Sequence, residues 1–153
     1  NKSVTIDPKL VDAWYMMAGT YAELGRFEQA VRSYDAAIKI DPSLSKAWLE
    51  KSSALRALGL REEANYSLEK AIDLYDDALK SNPDDTSALF GKGAALYSKG
   101  NYNESIQYFD HASAISPGNY RPWYHKGLSL KAQGCRSEAD VAFAKAREMG
   151  GPF

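Results

Sequence analysis

Apolar residues near the start of the chain fall at helical spacing. Trp14, Met17, Ala18 and Tyr21 stand at i, i+3, i+4 and i+7, one face of a helix. Gly25 interrupts the run and permits a turn. Phe27, Ala30, Val31, Tyr34, Ala37 and Ile38 then form the apolar stripe of a second helix. Asp41-Pro42 stops it, because the residue before a proline avoids the helical region and proline has no N–H to donate. The pattern predicts an antiparallel helical hairpin. Small residues at Ala18, Ala30 and Ala37 let its helices approach, and a large side chain at Ala37 would cost ~1–3 kcal/mol in overpacking.

The hairpin pattern recurs. Trp14, Gly25, Ala30 and Ala37 return 34 residues later as Trp48, Gly59, Ala64 and Ala71. After an interval of 41 the same slots hold Leu89, Gly100, Ser105 and Ala112, and a further 34 brings Trp123, Gly134, Ala139 and Ala146. Ala18, Ser52, Gly93 and Gly127 keep a small residue four places after the tryptophan slot. Tyr34, Leu68, Phe109 and Phe143 keep a large one four after the second-helix small residue. Fixed-period self-similarity marks a repeat architecture with no central core.

Together these residues resemble the tetratricopeptide-repeat family, with its W-x2-L-G-x2-Y, A-x3-F and P pattern, over residues 11 to 151. The resemblance implies an all-α fold, a right-handed superhelical α-solenoid of antiparallel helix hairpins. The repeats are expected at 11–44, 45–85, 86–119 and 120–153. Residues 1–10 read as the remnant of a preceding repeat, since Ile6 and Asp7-Pro8 match Ile40 and Asp41-Pro42, and the chain reads as part of a longer protein. The last repeat reads as uncapped, leaving Val141, Phe143, Ala146 and Met149 on a final helix.

In the second repeat the terminating proline, Pro83, arrives seven residues late. Both Ala64, Leu68, Ala71 and Ala71, Tyr75, Ala78, Pro83 fit the pattern. Seven residues are nearly two turns, so the stripe drifts by only ~20° and the helix lengthens by ~10 Å. One reading is an inserted heptad that shifts the angle to the third repeat. The other has Leu74, Tyr75 and Leu79 overhanging the stack as a second partner surface.

Composition changes the picture little. A net charge of −1 gives no electrostatic case for nucleic acid or an anionic membrane. No run approaches the ~18 apolar residues of a membrane span. The single cysteine, Cys135, fits a reducing, cytoplasmic setting.

Candidate chemistry is sparse. His111 and His125 lie in different repeats without Cys or acidic neighbours at metal-ligand spacing, and read as ordinary surface or interhelical residues. Cys135 follows a turn glycine and pairs with no evident base. Asp76-Asp77 and Asp84-Asp85 read as solvated charges or caps. Gly91-Lys92-Gly93 lacks the form of a phosphate loop, and Gly93 reads as a packing residue. No enzyme, cofactor or metal site is expected.

The family resemblance implies that the first helices of successive hairpins line a concave, peptide-binding groove. The slot after the tryptophan then faces it with Tyr15, Leu49, Phe90 and Tyr124. Four residues on come Gly19, Ser53, Ala94 and Leu128, then Ala22, Arg56, Tyr97 and Lys131. Asp12, Lys46, Ser87 and Arg121 precede the tryptophan slot by two. The expected site is Tyr15, Leu49, Ser53, Arg56, Phe90, Ala94, Tyr97, Arg121, Tyr124, Leu128 and Lys131, an apolar floor with basic rims. A subclass that clamps chaperone tails with Lys, Asn and Arg is not matched, because Tyr15, Leu49, Gly19 and Ser53 replace the clamp residues. The leading expectation is a non-enzymatic module binding a peptide or helix of a partner protein. The alternatives are self-association through the uncapped ends and a substrate-recruiting array within a larger enzyme.

Overall fold

The structure, a computed structural model, describes residues 7–151. The described residues form helices and turns without strands: α1 (Pro8–Glu23), α2 (Phe27–Ile40), α3 (Ser45–Ala57), α4 (Arg61–Ser81), α5 (Thr86–Lys99), α6 (Tyr102–Ile115), α7 (Tyr120–Ala132) and α8 (Arg136–Glu148). The turns from α1 to α2, α3 to α4, α5 to α6 and α7 to α8 carry Gly25, Gly59, Gly100 and Gly134 at φ of 70°, 79°, 90° and 85°. An L side chain there would clash with the following carbonyl, so the recurring glycine is a backbone requirement. Some helix starts carry a side-chain cap. Asp85 accepts from the Ser87 and Ala88 N–H groups at 2.9 and 3.0 Å, and Asn119 from Arg121 N–H at 3.1 Å.

The same capping changes the role of Asp7-Pro8. Asp7 accepts from Lys9 N–H at 3.0 Å and Pro8 begins α1, where its missing N–H costs nothing. Residues 8–10, expected in the tail of a preceding repeat, are thus the first turn of α1. The rest of that expected remnant, residues 1–6, lies outside the described residues.

The chain divides into two compact units between Leu74 and Tyr75, inside α4. In the first, Ala18, Ala30, Tyr34, Ile38, Ala47 and Ala54 form the core, with Tyr15, Phe27 and Trp48 packed against it. Trp48 meets Tyr66 of α4 edge-on at 6.1 Å, and its indole N–H donates to the Pro42 carbonyl at 3.0 Å. Each alanine in this core brings two backbones together where a larger residue would separate them.

In the second unit the helix contacts are built on glycine sockets. A Cβ at Gly93 would stand 2.7 Å from the ring of Phe109, and one at Gly127 2.6 Å from the ring of Phe143. Phe109 is fully buried, a consequence of α6 lying directly on the glycine face of α5. Buried Ser105 and Ser129 hydrogen-bond at 2.9 Å between α6 and α7.

Helix α4 runs 21 residues, against 14 in α2 and α6. Its later part does not overhang. Tyr75 is only 4% exposed, and its ring lies where a Cβ at Gly91 would have to be. Leu74 and Leu79 are half-buried. The expectation of Tyr75 as part of an exposed partner surface is therefore corrected: Tyr75 is a core residue of the second unit, drawn in by the missing side chain of Gly91.

One ion pair recurs through the molecule. Lys51 reaches Asp35 at 2.5 Å, Lys92 reaches Asp76, and Lys126 reaches Asp110 at 2.6 Å. Each aspartate follows the second-helix aromatic, Tyr34, Tyr75 or Phe109, and each lysine lies sixteen residues on, in the next first helix. The lysines also sit over rings, of Trp48 at 5.4 Å, Tyr108 at 4.5 Å and Trp123 at 5.5 Å. Burial works to lower the Lys92 pKa, but hydrogen bonds to Asp76 and Tyr108 outweigh it and the ammonium ends above its ordinary value. Asp76, expected to be a solvated charge or cap, is instead the partner of a buried lysine.

Candidate functional site

In the first unit, Tyr15 tilts against Tyr34 with ring centroids 6.0 Å apart. Helices α1 and α3 are neighbours, so Tyr15 and Leu49 belong to adjacent first helices. Both are half-buried, while Ser53 and Arg56 on α3 are exposed. Burial, followed by the charges of Glu50, Tyr15 and Glu23, raises the Tyr34 pKa, so its hydroxyl stays protonated.

The second unit assembles a denser group. Phe90 on α5 packs against Phe109 at 5.7 Å and meets His125 of α7 edge-on at 4.9 Å. His125 also tilts over Phe109 at 5.6 Å, so the imidazole packs against both rings and the three form a triangle of mutual contacts. The Arg121 guanidinium lies 4.6 Å from the Phe90 centroid. Tyr124 packs on Phe143 at 5.6 Å and stands edge-on to His125 at 5.6 Å. Burial first, and the Arg121 charge second, push the His125 pKa down to about 4. The imidazole is neutral at physiological pH.

Farther along these helices Ala94 and Leu128 are half-buried, Tyr97 tilts on Tyr102 at 5.6 Å, and Lys131 is exposed. Beside Tyr124 a cleft of about 330 Å³ opens between Phe143, Asp140 and Arg147. Of the apolar residues expected to be left on the last helix, Val141 is 64% exposed but Ala146 is fully buried, and Phe143 fills the Gly127 socket.

Sequence reasoning singled out Phe90, Arg121 and Tyr124 but missed their connection through His125. The imidazole follows the slot aromatic by one position, where the other repeats have Met16, Glu50 and Gly91. That variety carries no signal for a buried imidazole. Among the described residues no group of three or more His, Cys, Asp or Glu is arranged to hold a metal ion. No described helix is long and apolar enough to cross a membrane.

Two sequence models of the tetratricopeptide repeat match the chain, over residues 11–44 and 57–120, together more than half of it. No curated protein sequence matches it. Among solved structures, a crystal structure of MamA is 26% identical, covering 97% of this chain and 83% of that one with a TM-score of 0.56. MamA 41-end from Desulfovibrio magneticus RS-1 is 21% identical over 92% of this chain and 75% of its own, with a TM-score of 0.57. The pilF protein of Pseudomonas aeruginosa is 24% identical over 92% of this chain and 61% of its own, with a TM-score of 0.66. Sequence periodicity, glycine-turned hairpins, and these matches agree: the chain belongs to the tetratricopeptide-repeat family.

Proposed function

We propose that the chain is a non-enzymatic protein-interaction module that holds a peptide or helix of a partner protein against the concave face of its first helices. The observation that carries this reading is the second unit's aromatic group. Phe90 and Tyr124 are half-buried, each anchored on one side by Phe109 or Phe143. Rings fixed in this way lose little conformational entropy when a partner covers them, which is what binding surfaces favour. Small neighbours such as Ala94 leave room for a ligand side chain. The non-enzymatic part of the reading rests on the family, whose repeats are generally interaction modules.

The test is selection from an unbiased peptide library, with the wild-type chain beside a Leu49→Glu, Phe90→Glu variant and a Leu128→Glu variant of equal helicity. A consensus ligand lost in the variants is the expected result. Failure of any peptide to bind the wild type overturns the reading.

A second reading, self-association, is favoured by the exposure of Met16 at 70% and Val141 at 64%. Sedimentation equilibrium decides it: a concentration-dependent mass supports association, and a constant monomer mass rejects it.

A further inference from the structure

Charge in the second unit is sorted by helix. Neither α5 nor α7 contains an aspartate or glutamate, yet between them they carry Lys92, Lys99, Arg121, Lys126 and Lys131. The acids lie instead on α4, α6 and α8 and in the connecting turns. Asp76 and Asp110 bind Lys92 and Lys126 into the helix contacts. No carboxylate among the described residues pairs with Arg121 or Lys131. In a chain of net charge −1 this is a local surplus of one sign.

Arg121 and Lys131, both exposed, are also placed for recognition. Arg121, Tyr124, Leu128 and Lys131 fall at i, i+3, i+7 and i+10, one stripe of α7. Stacking on Phe90 holds the Arg121 guanidinium at 4.6 Å from the ring centroid. A planar guanidinium held over a ring keeps its N–H edges for a carboxylate, and part of the ordering cost is met before the ligand arrives. Ten residues of helix separate Arg121 from Lys131, about 15 Å at 1.5 Å per residue. An extended peptide covers that distance in four to five residues at about 3.3 Å each.

We propose that this stripe recognises an acidic peptide in extended form, with two carboxylate side chains four or five residues apart and an apolar residue between them. One carboxylate pairs with Arg121, the other with Lys131, and the apolar side chain rests on Tyr124 and Leu128. The inference rests on the peptide-binding reading above and adds the chemistry of the ligand. It differs from capture of a chain-terminal carboxylate, because both acids are side chains and their spacing sets the fit.

The test uses the 153-residue chain and fluorescein-labelled twelve-residue peptides, read by fluorescence anisotropy. One peptide carries two glutamates four apart with leucine between them in a glycine–serine background. A second has both glutamates replaced by glutamine, and a third has the glutamates adjacent. At low salt the first should bind about 25-fold more tightly than the glutamine peptide, about fivefold for each exposed charge pair. Raising the salt should narrow that gap, since exposed pairs are screened. An Arg121→Gln, Lys131→Gln variant of unchanged helicity and Tm should remove most of it.

Equal binding of the glutamate and glutamine peptides, both lost in Leu128→Glu, overturns the acidic preference and leaves the groove reading standing. Equal binding of spaced and adjacent glutamates overturns the two-point spacing. A single-stranded oligonucleotide that binds more tightly than the glutamate peptide and displaces it overturns the peptide as ligand. If the unbiased library yields no ligand, the groove reading and this inference fall together.

Discussion

His125 packs against Phe90 at 4.9 Å and Phe109 at 5.6 Å, with its pKa pushed down to about 4 by burial and by the Arg121 charge. Acidification is therefore a direct perturbation of the proposed binding face. An unfolded histidine titrates near 6.5, so between pH 6.5 and 4 the unfolded chain binds a proton that the folded chain resists. The folded-state pKa is the depressed one. Its stabilising contribution is fully present above about pH 6.5, declines as pH falls, and levels off below about pH 4. A displacement of this size corresponds to about 3 kcal/mol in full and about 2 kcal/mol at pH 5.

Carboxylates also titrate in this range, so the measurement must be differential. Urea unfolding of the wild type and of His125→Phe, each at pH 7 and pH 5, isolates the imidazole. The wild type should lose about 2 kcal/mol more than the variant between the two pH values. With only two histidines in the chain, the His125 Cε1–H resonance can be followed by NMR and assigned by its loss in the variant. Its midpoint should lie near 4, and Arg121→Gln should move it part of the way toward 6.5, because burial is the larger cause. A midpoint near 6.5, or a differential below about 0.5 kcal/mol, would refute the buried imidazole. An unchanged midpoint in Arg121→Gln would refute the part assigned to Arg121.

Other positions offer independent checks. Gly93→Ala sets a Cβ 2.7 Å from the fully buried Phe109 ring. Overpacking of about 1–3 kcal/mol, offset by about 1 kcal/mol of helix propensity, leaves a net loss of up to about 2 kcal/mol. Adding Phe109→Leu should recover part of it as a double-mutant coupling, and strict additivity would argue against the socket. Tyr75→Ala should lower stability by about 3–5 kcal/mol, as for other buried aromatics, and urea midpoints with little change would return Tyr75 to the surface. Gly100→Ala, at φ 90°, should lose about 1–2 kcal/mol in thermal or urea unfolding, while a neutral result would deny the left-handed turn.

Much of this protein was legible in its sequence because the relevant physics is local. A 3.6-residue apolar period, a glycine at each turn and a proline after each second helix act within a few residues of one another. They were sufficient for the hairpins, the long α4 and the packing role of Gly93. Local signals were ambiguous where one motif has two uses. Asp7-Pro8 has the form of a helix stop, yet Asp7 caps α1 and Pro8 begins it, because the same residues that cannot continue a helix can start one.

Only tertiary structure decided matters that depend on side chains from different helices. By sequence Tyr75 fits the second register of α4 and yet could overhang the stack, and the open face of Gly91 is what draws it inward. Asp76 is one of two adjacent acids by sequence, and the approach of Lys92 is what distinguishes it. The stripe of Arg121, Tyr124, Leu128 and Lys131 along α7 follows from helical period, but the stacking of Arg121 on Phe90 and the neutral imidazole of His125 do not. Burial and electrostatic environment are set by how neighbouring helices pack, and no local period encodes that.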